Sequence, residues 1–87
     1  MPHMLVRHKV QDFAKWKPGY DAHLPARQAA GLTERMLSRN ADNPNEVILV
    51  FEAKDLGKAR AFAASPDLKQ KMQEVGVIDK PDIWFLT

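Results

Sequence analysis

Apolar residues recur with two different periods along this chain, and each change of period predicts a new element. Residues 4–10 (MLVRHKV) mix β-branched and polar side chains in a short run, which is typical of a β-strand. Helical spacing follows, at Phe13, Trp16, Tyr20, Leu24 and Arg27. Asp12 can cap this helical segment and Gly31 can end it. The N-terminal part of the chain therefore predicts a strand and then a helix.

Prolines predict bends in this helical segment. Pro18-Gly19 interrupts the apolar spacing, so we expect a short helical turn over residues 12–17 followed by the main helix. A single helix kinked at Pro18 is the alternative. Pro25 predicts a second distortion of the backbone.

The middle of the chain predicts a hairpin. Residues 32–40 suggest a strand of weaker character, and residues 40–45 (NADNPN) are rich in side chains that favour turns. Residues 46–53 (EVILVFEA) are rich in Val, Ile, Leu and Phe, which predicts a central strand.

A second helical region and a last strand complete the pattern. After Asp55, helical spacing returns at Leu56, Ala59, Phe62 and Ala63. Residues 65–67 (SPD) then supply a new N-cap with proline at the first helical position. The apolar stripe of this further helix is Leu68, Met72 and Val75. Gly76 ends it, and residues 82–86 (DIWFL) predict the last strand.

The order of these elements is strand, helix, strand, strand, helix, strand. Right-handed crossovers place both helical regions on one face of a four-stranded antiparallel sheet. The prediction is an α+β, ferredoxin-like βαββαβ fold, as a single domain over residues 1–87.

Alternation of side chains makes both faces of the predicted sheet apolar. One face, which we assign to the helices, carries Val6, His8, Val10, Val47, Leu49 and Phe51. The opposite face carries Leu5, Ile48 and Val50, with either Ile83 and Phe85 or Trp84 and Leu86 from the last strand. An apolar surface of this extent is unusual on a monomer. We therefore expect a homodimer through the sheet face, with Arg7 and Lys9 available to pair with Glu52 or Glu46 at its rim.

Composition narrows the class of protein. The chain is 45% hydrophobic and 28% charged, which is ordinary for a folded globular protein. It has no cysteine, so disulfides and thiolate chemistry are excluded, and a reducing, cytoplasmic location fits. No secretion signal or membrane-spanning run is visible. The net charge of +2 is scattered, and neither nucleic acid nor a membrane is predicted as a partner.

The segments "VRHKV", "DFAKWKPGYDAHLPARQAAG", "NADNPNEVILVFEA", "DLGKARAFAASPDLKQKM" and "GVIDKPDIWFLT" together resemble the dimeric α+β barrel superfamily. Within it, they are similar to small proteins grouped with the antibiotic biosynthesis monooxygenases. The resemblance spans nearly the whole chain and implies the fold and dimerisation. It also implies a substrate cavity between the sheet and the helices of each subunit.

The same resemblance implies several chemistries. The superfamily includes cofactor-independent oxygenases, haem-degrading enzymes, isomerases, lyases and ligand-binding proteins. In the oxygenases, Asn, Trp and His residues support oxidation of an electron-rich substrate without metal or flavin. This chain offers Trp16, Trp84, His8 and His23, but its first strand contains no Asn.

Two histidines are the candidate catalytic residues. His8 should point toward the helices, and His23 lies three residues after Tyr20 near the inward stripe of the first helix. Two imidazoles in a partly dry cleft suit proton transfer near neutral pH. The alternative is a core histidine at His8 and a surface histidine at His23.

Aromatic and basic residues are the candidate substrate-binding groups. Tyr20, Phe51 and Trp84 can line an apolar pocket for a flat organic molecule. Arg27 or Arg35 can engage a carboxylate or phenolate there. The alternative is that these side chains simply fill the core.

No cofactor is predicted. The histidines lack the spacings of a metal site, and Gly57-Lys58 lacks the upstream glycines of a phosphate-binding loop. Residues 46–53 also lack the aromatic, basic motif of RNA-recognition strands. Two functions remain: an oxygenase-like or isomerase-like enzyme acting on a small aromatic or polyketide-like compound, or a non-catalytic protein that binds a small molecule or a partner.

Overall fold

The sheet is antiparallel, four-stranded and ordered β2-β3-β1-β4 in the computed structural model, which describes residues 1–87. The strands are β1 (His3–Lys9), β2 (Leu32–Arg39), β3 (Glu46–Ala53) and β4 (Asp82–Leu86). The hairpin partners β2 and β3 are adjacent, and β1 lies between β3 and β4. The predicted α+β, ferredoxin-like fold is confirmed.

Each crossover between strands contains a pair of helices. They are α1 (Phe13–Ala22), α2 (Leu24–Ala29), α3 (Leu56–Ala63) and α4 (Pro66–Glu74). The caps predicted at Asp12 and Ser65 are present, because their side chains accept hydrogen bonds from first-turn N–H groups of α1 and α4. Asp55 caps α3 in the same way. None of these helices is long and apolar enough to cross a bilayer.

The first helical region does not break where the sequence predicted. Pro18 lies inside a continuous α1, and the chain breaks at His23 instead. A proline inside a helix removes one hydrogen bond, and the Asp12 cap and the burial of Trp16 stabilise the surrounding turns. Pro25 lies in the first turn of α2, where an N–H needs no partner. The expected break at Pro18 is wrong, and the distortion expected near Pro25 is confirmed.

The core lies between the helices and the predicted face of the sheet. Strand β3 alternates strictly, with Val47, Leu49 and Phe51 buried. Met4, Val6 and His8 are buried beside them on β1. The face assigned to the helices from sequence is therefore confirmed.

The pairing of β1 with β4 decides which side chains of the last strand join the core. Val6 pairs with Ile83 and Met4 with Phe85, so these two β4 residues face the helices. Trp84 and Leu86 lie on the opposite face, where they are 46% and 43% exposed. Together with Leu5, Ile48, Val50 and Met36 they form what we call the open face of the sheet.

Two arginines of the open face have acidic partners within the chain. The Arg7 guanidinium lies 3.7 Å from the Glu46 carboxylate. Arg35 forms an ion pair and a hydrogen bond with Glu52. Arg7, Glu46 and Glu52 therefore have partners in their own chain, and the expected pairing of Arg7 or Lys9 with these glutamates across a dimer rim stays a prediction.

Candidate ligand cavity between the helices and the sheet

A cavity of about 60 Å³ lies between the covered face of the sheet and the helices. The sheet contributes Met4, Val6, His8, Leu49, Phe51 and Ile83 to its wall. The helical side comprises Trp16, Gly19, Tyr20, His23, Arg27, Phe62, Ala63, Leu68, Lys71 and Met72, with Val75 just after α4. A space of this size holds more than one water molecule and is lined mainly by apolar side chains.

His8 is the polar group of the cavity floor. Its side chain is 3% exposed, and neither Nδ1 nor Nε2 has a hydrogen-bond partner. The ring of Trp16 packs edge-on against it, with the ring centroids 5.6 Å apart. Burial lowers the pKa of His8 below its ordinary value, against an opposing effect of the Asp79 charge. The imidazole is therefore neutral near pH 7, with one donor and one acceptor facing into the cavity region.

His23 lies at the break between α1 and α2 and borders the same cavity. Its ring faces Phe62 of α3 at a centroid distance of 5.9 Å. Burial lowers the pKa of His23, and the positive charges of Arg27 and Lys71 lower it further. The structure therefore brings both candidate catalytic histidines to one cavity, His8 from the sheet and His23 from the helices.

Arg27 is the buried cation of the site. Its side chain is 6% exposed, and Nη1 donates a hydrogen bond of 2.7 Å to the carbonyl oxygen of Tyr20, in the last turn of α1. The guanidinium carbon lies 3.8 Å from the centroid of the Tyr20 ring. None of the ion pairs in the chain involves Arg27. Its direct partners are the carbonyl at a helix terminus and an aromatic face.

Tyr20 provides the aromatic ring on which Arg27 stacks. Its ring stacks on Trp16 with centroids 4.7 Å apart, and its hydroxyl donates a hydrogen bond of 2.6 Å to the Glu34 carboxylate on β2. Burial, followed by this hydrogen bond, raises the pKa of Tyr20 well above its ordinary value. Tyr20 therefore stays protonated and acts as a fixed platform.

The structure separates the predicted substrate-binding residues into two groups. Tyr20, Arg27 and Phe51 line the cavity with the two histidines. Trp84 does not, because β4 pairs with β1 in the register that turns Trp84 to the open face. Arg35 is also outside, paired with Glu52. These two placements correct the sequence prediction of a pocket containing Trp84 and Arg27 or Arg35.

Sequence reasoning missed the contribution of α4. Lys71 and Met72 line the cavity, and Lys71 was not a candidate residue. It follows Leu68 by three positions, so it lies on the stripe that the spacing of Leu68, Met72 and Val75 defines. The spacing of this stripe could have identified Lys71 as a residue that faces the sheet. No group of three or more His, Asp or Glu side chains comes together as a metal site.

Comparison with known proteins gives structural similarity only. No family model and no curated protein matches the sequence. A Bordetella bronchiseptica protein named as an antibiotic biosynthesis monooxygenase superposes with a TM-score of 0.79 and 18% identity, over 99% of this chain and 94% of that one. SnoaB, a cofactor-independent oxygenase from Streptomyces nogalater, gives 0.70 and 18%, over 99% and 90%. A conserved protein of Methanosarcina mazei gives 0.71 and 12%, over 97% and 88%.

Structural superpositions at sequence identities this low establish the fold and leave the chemistry open. The resemblance stated from the sequence is confirmed at that level. The chain has the α+β fold shared by the solved antibiotic biosynthesis monooxygenase-like proteins.

Proposed function

We propose that the protein is a cofactor-independent monooxygenase-like enzyme that acts on a small aromatic compound held in the cavity. The observation that carries this proposal is His8, a buried imidazole on the cavity wall with both nitrogens unpartnered. Buried polar groups without partners are rare in folded proteins and are frequent where a ligand supplies the partner. A small change of environment also places an imidazole in the range useful for proton transfer.

The proposed reaction begins with proton abstraction by His8. Neutral imidazole removes a proton from an activated carbon or a phenolic oxygen of the substrate, and the resulting anion is rich enough in electrons to react with dioxygen. One oxygen atom enters the product as a carbonyl, and the other leaves as water with the two hydrogens that the substrate loses, either both from a CH₂ group or one each from a phenolic O–H and a ring C–H. His23, at the other side of the same cavity, is the candidate for returning a proton to the departing oxygen.

The comparisons support this class of reaction. SnoaB is named as a cofactor-independent oxygenase, and its fold matches 99% of this chain. The oxygenases that the sequence resembles use Asn, Trp and His residues. Here β1 has no Asn, and His8 is its polar residue facing the cavity, packed against Trp16. The proposal therefore assigns the first proton transfer to His8.

Non-catalytic binding is the second candidate function, and the small size of the cavity favours it. Its volume of about 60 Å³ is below that of a cavity that holds benzene, about 150 Å³, so a polycyclic polyketide does not fit and even a single-ring ligand must displace side chains of the wall. A protein that only carries such a ligand needs the polar partners of the cavity but no proton transfer. Turnover separates the two functions.

Oxygen uptake is the direct test. A panel of single-ring hydroquinones is offered to the wild type, His8→Gln, His23→Gln and the double variant, with His3→Gln as a control on the same strand but outside the cavity. Loss of a general base lowers rates about 10²- to 10⁴-fold, so His8→Gln should lose uptake while His3→Gln keeps it. Uptake that survives His8→Gln, or no uptake with any compound, contradicts the proposal.

We also propose that the protein acts as a homodimer through the open face. Trp84 and Leu86 are large, apolar and nearly half exposed, and the nearby Arg7 and Arg35 are paired with glutamates of the same chain. A second copy related by a two-fold axis presents the same apolar surface and covers it symmetrically. A cytoplasmic location stays a prediction from the sequence.

A further inference from the structure

Apart from Tyr20, which stays protonated, the ionisable groups that line the cavity are all basic. They are Arg27, Lys71 and the two histidines, and no Asp or Glu contributes to the wall. Burial favours the neutral form of both histidines. The cavity therefore contains two lasting positive charges and no negative one.

Arg27 has unused hydrogen-bonding capacity beside this space. A guanidinium has five N–H donors, and a single side-chain hydrogen bond, to the Tyr20 carbonyl, involves Arg27. The Tyr20 ring covers one face of the group at 3.8 Å. Burying a cation without an anionic partner is unfavourable. An anion in the cavity would relieve that cost.

Lys71 adds a second positive charge from α4. Its contact with Glu74 is 3.5 Å long, between partly exposed side chains, and such pairs are weak. Lys71 also contributes to the lowered pKa of His23, which indicates that its charge acts on the cavity. Two cations from different helical regions, α2 and α4, thus act on one small space.

The opposite wall is apolar. Met4, Leu49, Phe51 and Ile83 present hydrocarbon surface from the sheet, and His8 lies among them. A ligand that satisfies both walls has an anionic group at one end and a flat apolar body at the other. The planar fork of a guanidinium matches the two oxygens of a carboxylate.

We propose that the cavity selects an aromatic carboxylate, bound through its carboxylate to Arg27 and with its ring lying against the sheet beside His8. The inference rests on the proposed function for the choice of cavity, and it adds the substrate class. Arg27 is then the specificity-determining residue, and Lys71 strengthens the attraction.

Arg27 also has a structural role that the experiment must separate. Its bond to the Tyr20 carbonyl caps the end of α1, so removing it can weaken the fold. Lys71 is more exposed and its side chain donates no hydrogen bond to a helix end, so Lys71→Gln removes the charge and leaves the caps in place. Arg60 is the matched control for Arg27, because it also stacks on an aromatic ring, Phe85, but lies outside the cavity.

The experiment is a protein-detected NMR titration with benzoate and with its uncharged analogue benzamide. A charge-assisted hydrogen bond supports about a tenfold preference or more. Benzoate should therefore bind the wild type about tenfold more tightly, with the largest shifts at His8, His23 and Arg27. Arg27→Gln should reduce benzoate affinity to that of benzamide, Arg27→Lys should retain part of it, and Arg60→Gln should change neither.

Equal affinities for the two probes, or no binding of benzoate, would overturn the inference, as would full benzoate affinity in Arg27→Gln. If Arg27→Gln does not fold, Lys71→Gln and added salt must weaken benzoate binding selectively, and benzamide binding must stay constant. Binding without oxygen uptake by any substrate would refute the oxygenase and leave the carboxylate inference standing. Oxygen uptake that shows no preference for acidic substrates, together with equal binding of both probes, would refute the carboxylate inference and leave the oxygenase proposal standing.

Discussion

At the residue scale, His8 combines full burial with unmet hydrogen bonds. A histidine kept for stability would have partners for its two nitrogens, and here the neighbouring contact is the edge of Trp16. Desolvation of such a group opposes folding. Packing therefore does not explain the placement of His8, which agrees with the proposal that a ligand supplies its partner.

Replacing His8 with leucine should stabilise the protein. The change removes two desolvated polar atoms and keeps an apolar side chain of similar size, so we expect the free energy of unfolding to rise by about 1 kcal/mol. Urea denaturation measures it. His8→Gln keeps buried polar atoms and should bring no gain. A loss of stability in His8→Leu would instead point to a structural role for the imidazole.

The stability of the protein should fall as the pH drops below about 6.5, the ordinary pKa of histidine. Burial lowers the folded-state pKa of His8, so the unfolded chain binds its proton first and acid favours unfolding. The contribution of neutral His8 to stability is complete above pH 6.5, and it is lost as the pH falls toward the lowered pKa of His8 in the folded protein. The lowered pKa of His23 changes stability in the same direction. Melting temperatures measured from about pH 4.5 to about pH 8 test this pH dependence. His8→Leu should flatten the profile, and an unchanged profile would contradict the assignment.

At the element scale, α4 is the outer wall of the cavity and the least buried helix. None of its residues is fully buried. Just after its end, Val75 lies against Gly19 of α1, so closely that a Cβ on Gly19 would come within 2.2 Å of the Val75 Cγ1 atom. The glycine therefore sets the distance between α1 and α4, and with it the width of the cavity.

Gly19→Ala should destabilise the protein despite the better helix propensity of alanine. The added methyl group must displace Val75, and overpacking of this kind costs about 1–3 kcal/mol. Denaturation midpoints measure the loss. Gly19→Ala combined with Val75→Ala removes the closest contact and should recover most of the stability. A single variant as stable as the wild type would show that α4 moves freely.

At the scale of the whole molecule, one side of the sheet is covered by helices and the other is the open face. Trp84→Asp places a charge on this apolar face, at the edge strand β4, and should convert a homodimer to a monomer at micromolar concentration, as measured by analytical ultracentrifugation. Ile78→Asp is the control, because Ile78 is equally apolar and more exposed but lies outside the sheet. A wild type that sediments as a monomer would refute the dimer.

The order of elements, their caps and the buried face of β1 and β3 followed from the sequence alone. Period, capping residues and alternation are local properties, and a few neighbouring positions determine each of them. Gly31 and Gly76, predicted as helix stops, have positive φ values of 75° and 89°. His8 was placed correctly for the same reason, since alternation puts it on the face of Val6 and Val10.

Tertiary structure alone decided the rest. Alternation in residues 82–86 allows two phases, and only pairing with β1 turned Trp84 outward and Ile83 inward. Whether Pro18 or His23 breaks the first helix depends on what the flanking turns pack against. The joining of Arg27, Lys71 and His8 around one cavity depends on how α2 and α4 lie over the sheet. Local sequence determines a residue's conformation and face, but packing between distant segments determines its neighbours, and the candidate site is made of neighbours.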